Sequence, residues 1–190
     1  MARVFAFRIA GDLCIDEPKL NGDEKMIRAQ ADVLIGRSAD VCFGFVADDF
    51  FRNYPRWSPE VVKLKCLSSG PLRVGSLGRQ VRIDQGHRSE NSFRVVLLLR
   101  GRRIAFRGVS SPFVIDYRFD ALEQKTRITF AFTLERLSLP LRPFEGPIRR
   151  ATQEGAERTV RNIKRLIESE PVRSPSRRAQ CAVSKRDPEA

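Results

Sequence analysis

Residues 92–135, SFRVVLLLRGRRIAFRGVSSPFVIDYRFDALEQKTRITFAFTLE, decide how the rest of the chain is read. Large apolar residues recur at every second position: Phe93, Val95, Leu97 and Leu99, then Ile104 and Phe106, then Ile115, Tyr117 and Phe119, then Ile128, Phe130, Phe132 and Leu134. Side chains alternate across a strand, so a period of two marks strands with one buried face. Turn signals divide the stretch into strands over 92–100, 103–109, 114–122 and 125–135. Connections of two to five residues are too short for parallel crossovers, so the strands are antiparallel.

Working outward, Val62, Leu64 and Cys66 alternate with lysines before Ser68-Ser69-Gly70-Pro71, and a further run spans 77–84 before Gly86. That makes six strands. Upstream, Ile27, Ala29, Ala31, Val33 and Ile35 alternate with less apolar neighbours and predict a first strand. Ser38 is a candidate N-cap, and Val41, Cys42, Phe45 and Val46 recur at helical spacing, which predicts a short helix to about residue 51. Pro55 and Pro59 lie in Asn53-Tyr54-Pro55-Arg56-Trp57-Ser58-Pro59, so this segment reads as a loop or a single helical turn. Downstream, a Leu-Pro-Leu-Arg-Pro segment introduces a long final helix over 144–169. Its stripe is Phe144, Ile148, Ala151, Gly155, Thr159, Ile163 and Leu166. The fold class is α+β, a seven-stranded antiparallel sheet curled around a long C-terminal helix, with two short helices after the first strand. The 190 residues suit one domain, over 26–169, between an N-terminal extension (1–25) and a disordered basic tail (170–190).

The chain carries 35 Lys and Arg against 23 Asp and Glu, a net charge of +12. Such a surface favours anionic partners, so an electrostatic binder of anionic membrane or nucleic acid is the alternative function. Nucleic acid is disfavoured, because stacking platforms need exposed aromatics, whereas Phe93, Phe106, Phe119, Phe130 and Phe132 share the core parity. No apolar run approaches the ~20 residues of a transmembrane helix. The N-terminal apolar run is broken by Arg8 and lacks a signal-peptide cleavage pattern. Cys14, Cys42, Cys66 and Cys181 form no close pair, and His87 is the single histidine. A zinc site is therefore not expected, and reduced thiols in a cytoplasm fit best. No cofactor is implied: nucleophile-histidine pairs and phosphate-binding glycine loops are missing from the sequence. His87 reads as an exposed turn residue.

The final helix carries Ala151, Gly155, Ala156 and Thr159 where Leu or Ile is usual, leaving room for an apolar ligand cavity against the aromatic sheet face. The motifs Asn53-Tyr54-Pro55-Arg56-Trp57-Ser58-Pro59-Glu60-Val61-Val62, Gly70-Pro71-Leu72-Arg73-Val74-Gly75-Ser76 and Arg79-Gln80-Val81 follow in order. Arg103-Ile104-Ala105-Phe106-Arg107-Gly108, Ser111-Pro112-Phe113 and Thr126-Arg127-Ile128-Thr129 complete the set. Together they resemble the polyketide cyclase/dehydrase-like branch of the START-like (SRPBCC) lipid-transfer superfamily. The resemblance implies a helix-grip fold with a ligand cavity between sheet and C-terminal helix. It also implies binding of a hydrophobic small molecule (polyketide, lipid or aromatic metabolite), with a cyclase or dehydrase activity that no motif certifies.

Cavity candidates on the sheet are Val81, Phe93, Val95, Phe106, Tyr117, Phe119 and Phe132. Phe45, Trp57, Ile148 and Gly155 join them from the helices and the proline segment. Arg82 and Tyr117 are the catalytic candidates, able between them to polarise a carbonyl and hold an enolate. Trp57 is expected either to gate the cavity mouth or to pin its loop to the core. Gly78 stands where relatives commonly carry an aromatic, which implies an enlarged cavity or a bulge. One conflict stays open: apolar periodicity points Leu77, Val81 and Ile83 inward, while the resemblance puts Gly78, Gln80 and Arg82 on the cavity side. Relatives beginning where Met26 stands would make residues 1–25 a start-site artefact.

Overall fold

The computed structural model describes residues 26–84, 86–137, 139–170 and 180–181. The expectations for residues 1–25 fall outside these, as do those for the tail apart from Gln180–Cys181.

The chain forms β1 (Ile27–Ile35), α1 (Ala39–Phe43), a π-helical turn (Gly44–Asp48), α2 (Phe50–Trp57), β2 (Val61–Cys66), β3 (Gly70–Pro71) and β4 (Leu77–Asp84). It continues through β5 (His87–Leu99), β6 (Arg103–Gly108), β7 (Phe113–Leu122), β8 (Lys125–Leu134), a 3-10 helix (Leu139–Phe144), α3 (Glu145–Ser169) and β9 (Gln180–Cys181). Seven strands make one antiparallel sheet in the order β1-β8-β7-β6-β5-β4-β2, and β3 pairs with β9. The antiparallel strands follow the expectation from the alternation and the short connections, and the whole is the helix-grip arrangement that the resemblance implies. Phe93, Val95, Ile104, Phe106, Tyr117, Phe119, Ile128 and Phe130 form its buried face together with α1, α2 and α3.

Three local expectations change. In β5 the register against β6 shifts between Val95 and Leu97, a bulge that reverses which face later residues occupy. Leu98 therefore packs on the core, and Leu99 is 46% exposed instead of buried. In α2, Pro55 lies inside the helix rather than ending it. A proline there removes one donor, and the eight-residue helix retains a fully used inner face of Phe50, Asn53, Tyr54 and Trp57. Asn53 Nδ2 also donates to Phe45 O at 3.0 Å, fastening α2 to the preceding π-helical turn.

In α3 the buried stripe is Ala156, Val160, Ile163 and Ile167, one position round from the expected stripe that contained Gly155 and Thr159. Phe144 and Ala151 are exposed, and Gly155 has no atom within 4 Å of where a Cβ would stand. The helix is rotated because it packs chiefly along β1, one of the two edge strands of the sheet. There Gln153 bonds both backbone groups of Gln30, accepting from N at 3.3 Å and donating to O at 3.0 Å. Lys164 Nζ donates to Leu34 O, and Glu168 Oε1 accepts from Gly36 N.

Cys42 is a buried free thiol, but Cys66 is disulfide-bonded, which corrects the expectation of reduced thiols throughout. Spacing along the chain says nothing about which sulfurs meet in space. The cytoplasmic expectation rested on those thiols and loses that support. No helix among the described residues is long and apolar enough to cross a membrane.

Candidate functional site

A small cavity lies between α2 and strands β4 to β7, lined by Phe50 and Tyr54 of α2, Gln80 of β4, Phe93 of β5, Phe106 of β6 and Phe113, Ile115 and Tyr117 of β7. Its volume is about 10 Å³, space for roughly one water molecule. Ligand pockets usually measure ~300 to 1,000 Å³. Rings fill the difference: Phe50 stacks on Phe106 at 4.4 Å and on Tyr54 at 4.8 Å, and Phe93 meets Phe106 edge-on at 5.6 Å. Gly78 does not enlarge the cavity as expected, and the β4–β5 register runs without a bulge there. A Cβ on Gly78 would fall within 2.4 Å of Phe93 Cζ and 3.0 Å of Phe51 Cε1, so these two rings already occupy the space of the absent side chain.

One wall of the cavity leads to a polar network. Arg82 Nη1 donates to Tyr54 Oη at 3.2 Å and Ser58 Oγ at 3.3 Å, while its other nitrogens hold Asp84. Ser58 Oγ donates to Glu60 Oε2, and Arg158 of α3 reaches Glu60 Oε1 at 2.6 Å. Burial pushes the Tyr54 and Tyr117 phenols above their ordinary range, only partly offset by the charge of Arg82, so both are neutral near pH 7. Burial alone would lower the Arg82 guanidinium, but Asp84, with Tyr54 and Glu60 near it, reverses the direction and keeps it charged. Gln80 is 4% exposed and its Oε1 has no hydrogen-bond partner among the described residues. Trp57 Nε1 lies near the Tyr117 hydroxyl without a partner in bonding geometry among the described residues.

The open question of β4 parity resolves toward Gly78, Gln80 and Arg82: Gln80 lines the cavity, Arg82 bonds a lining tyrosine, and Ile83 is exposed. Val81 is buried but belongs neither to the lining nor to the core cluster. Of the other candidates, Phe93, Phe106 and Tyr117 line the cavity. Trp57 packs one layer behind it, 6.0 Å from Phe50 and 6.4 Å from Tyr117 between ring centroids, pinned rather than gating. Phe45, Val95 and Phe119 are core residues beyond the lining, Phe132 stacks on Phe113, and Ile148 and Gly155 are half-buried away from it. Arg82 and Tyr117 are not joined directly; Tyr54 takes the Arg82 bond. His87 opens β5 in an exposed position. The sequence reading missed Phe50, Tyr54, Phe113 and Ile115, and reached Gln80 only through the resemblance. Phe50, Tyr54 and Trp57 do follow helical spacing, a signal masked by treating Pro55 as a helix stop.

The family model for polyketide cyclase / dehydrase and lipid transport matches residues 26–168, and the chain belongs to that family. The fold is similar to that of the ZhuI aromatase/cyclase from Streptomyces sp. R1128, at 15% identity and a TM-score of 0.63 over 76% of this chain and 94% of that one. A protein from Thermus thermophilus aligns at 12% identity and a TM-score of 0.61, covering 75% of this chain and 97% of its own. A START superfamily protein from Mycobacterium smegmatis aligns at 16% identity and a TM-score of 0.60, with 75% and 97% covered. Among curated proteins none matches the sequence.

Proposed function

We propose that the protein binds a hydrophobic small molecule, of polyketide, lipid or aromatic type, between α2 and the sheet. The observation that carries this reading is a small cavity between α2 and the sheet whose wall is apolar and mostly aromatic, the kind of lining a hydrophobic ligand needs. The small volume sets a condition: Phe50 must move for a ligand to enter. Phe50 sits on α2, a short helix that follows a π-helical turn, so ligand entry requires α2 and its buried aromatic face to move outward.

Binding is favoured over turnover. The lining offers no carboxylate, histidine or thiol, and its tyrosines are neutral, so its chemistry is hydrogen-bond donation to a carbonyl rather than proton abstraction. Tyr54, whose hydroxyl is held by Arg82, and Tyr117 are the hydroxyl-bearing residues of the lining. The electrostatic alternative gains no stacking platform, because Phe93, Phe106, Phe119 and Phe130 are buried.

Native mass spectrometry of the protein purified from its own host, followed by release and identification of bound material, tests the proposal. A co-purifying apolar molecule supports it. An empty protein whose thermal unfolding is unmoved by a panel of apolar compounds overturns it.

A further inference from the structure

Large apolar side chains are left in solvent at one end of the sheet. The register sets Leu134 opposite both Ile27 and Phe113, and Glu135 N donates to Pro112 O at 2.8 Å. Met26, the 109–112 turn and the chain beyond Glu135 therefore leave the sheet at the same end. Met26 and Val109 are exposed there. The 3-10 helix Leu139–Phe144, which has no buried residue, adds Leu139 at 71% exposure, Leu141 and, at 58%, Phe144. Apolar side chains gathered in this way on a water-facing surface mark a place where something docks.

We propose that this end of the molecule docks on a lipid bilayer carrying anionic headgroups, with Leu139, Leu141 and Phe144 entering the interface. Charge selects that partner. Residues 135–150 carry four arginines, Arg136, Arg142, Arg149 and Arg150, against two glutamates. Both glutamates are ion-paired, Glu135 with Arg107 at 3.2 Å and Glu145 with Arg149 at 3.0 Å. Arginines beside exposed apolar side chains are the combination that holds a segment at an anionic membrane surface. The backbone suits the same place: Pro140 and Pro143 have no N–H, so the segment takes fewer unpaired donors out of water. A second copy fits less well, because it would bring two chains of net charge +12 together at their arginine-bearing ends.

The test is co-sedimentation with vesicles of phosphatidylcholine, alone or with about a third phosphatidylglycerol. The wild-type protein is expected on the mixed vesicles, and Leu139→Ser, Leu141→Ser and Phe144→Ser combined should weaken that binding by roughly tenfold or more. Arg150→Gln should weaken it by about fivefold. Phe144→Trp adds a second readout: brominated lipid should quench the added indole, whereas Trp57, the sole native tryptophan, is buried and should be unaffected. If the triple variant fails to fold, Leu139→Ser alone, at the most exposed position, should weaken binding by about threefold. A wild type that stays off the mixed vesicles overturns the proposal. So do serine substitutions that leave binding unchanged, or an added indole that lipid does not quench, and these assign vesicle binding to charge elsewhere. A concentration-dependent dimer that the serine substitutions dissociate also overturns it and gives the face to a second copy. Each outcome leaves the cavity reading as it stands, because no residue substituted here lines the cavity.

Discussion

At Gly78 a missing side chain is a packing requirement, because Phe93 and Phe51 stack with centroids 6.2 Å apart where a Cβ would project. Gly78→Ala should therefore destabilise the fold by about 1–3 kcal/mol in urea unfolding, as overpacking does. Phe93→Leu in the same chain should recover part of that loss, whereas strictly additive costs would show that the two sites do not compete for space. Cys42 makes a different prediction. Burial pushes its thiol from 9.0 up to about 11, so between those values the unfolded state releases a proton that the folded state keeps. Stability from this group is complete below pH 9 and is lost as pH rises toward 11. Melting temperature should fall over that window, and Cys42→Val should flatten the fall between about pH 9 and 10, before the tyrosines of the unfolded chain begin to ionise. An unchanged slope would assign the alkaline loss to other groups.

Among elements, the docking of α3 on β1 shows how a helix substitutes for a missing strand. An exposed sheet edge invites pairing with other chains, and here Gln153, Lys164 and Glu168 occupy its backbone groups at Gln30, Leu34 and Gly36. Gln153→Ala should cost about 1–2 kcal/mol, given two partly exposed bonds, and should speed hydrogen exchange at the Gln30 amide. Unchanged exchange there would mean that the edge is protected by packing alone. The same docking explains why a stripe read as helix-on-sheet core was displaced. Periodicity locates the apolar face of a helix to within about one residue, and the partner surface decides which of two adjacent stripes is used. Ala156, Val160, Ile163 and Ile167 won because Gln153 had to reach the strand.

For the whole molecule the decisive quantity is how completely α2 fills the grip. Phe50→Ala should open a cavity in place of a one-water void, lower stability by about 3–5 kcal/mol and let benzene raise the melting temperature. A variant that loses stability and gains no benzene response would show that the site collapses rather than opens. Strand positions, antiparallel pairing and the aromatic face of the sheet were legible in residues 92–135, because the alternation of side chains and the short turns are local properties of the chain. The first short helix and the long terminal one were legible from spacing, whereas α2 was hidden by Pro55, which reads as a helix stop. Other features depended on atoms brought together from distant positions: the reversal of parity after Val95, the inward turn of Gln80 against its apolar neighbours Val81 and Ile83, and the Arg82–Tyr54 bond across 28 residues. The size of the cavity belongs with them, since it is set by how closely the α2 rings pack against the sheet, a distance that no pattern of residue types encodes.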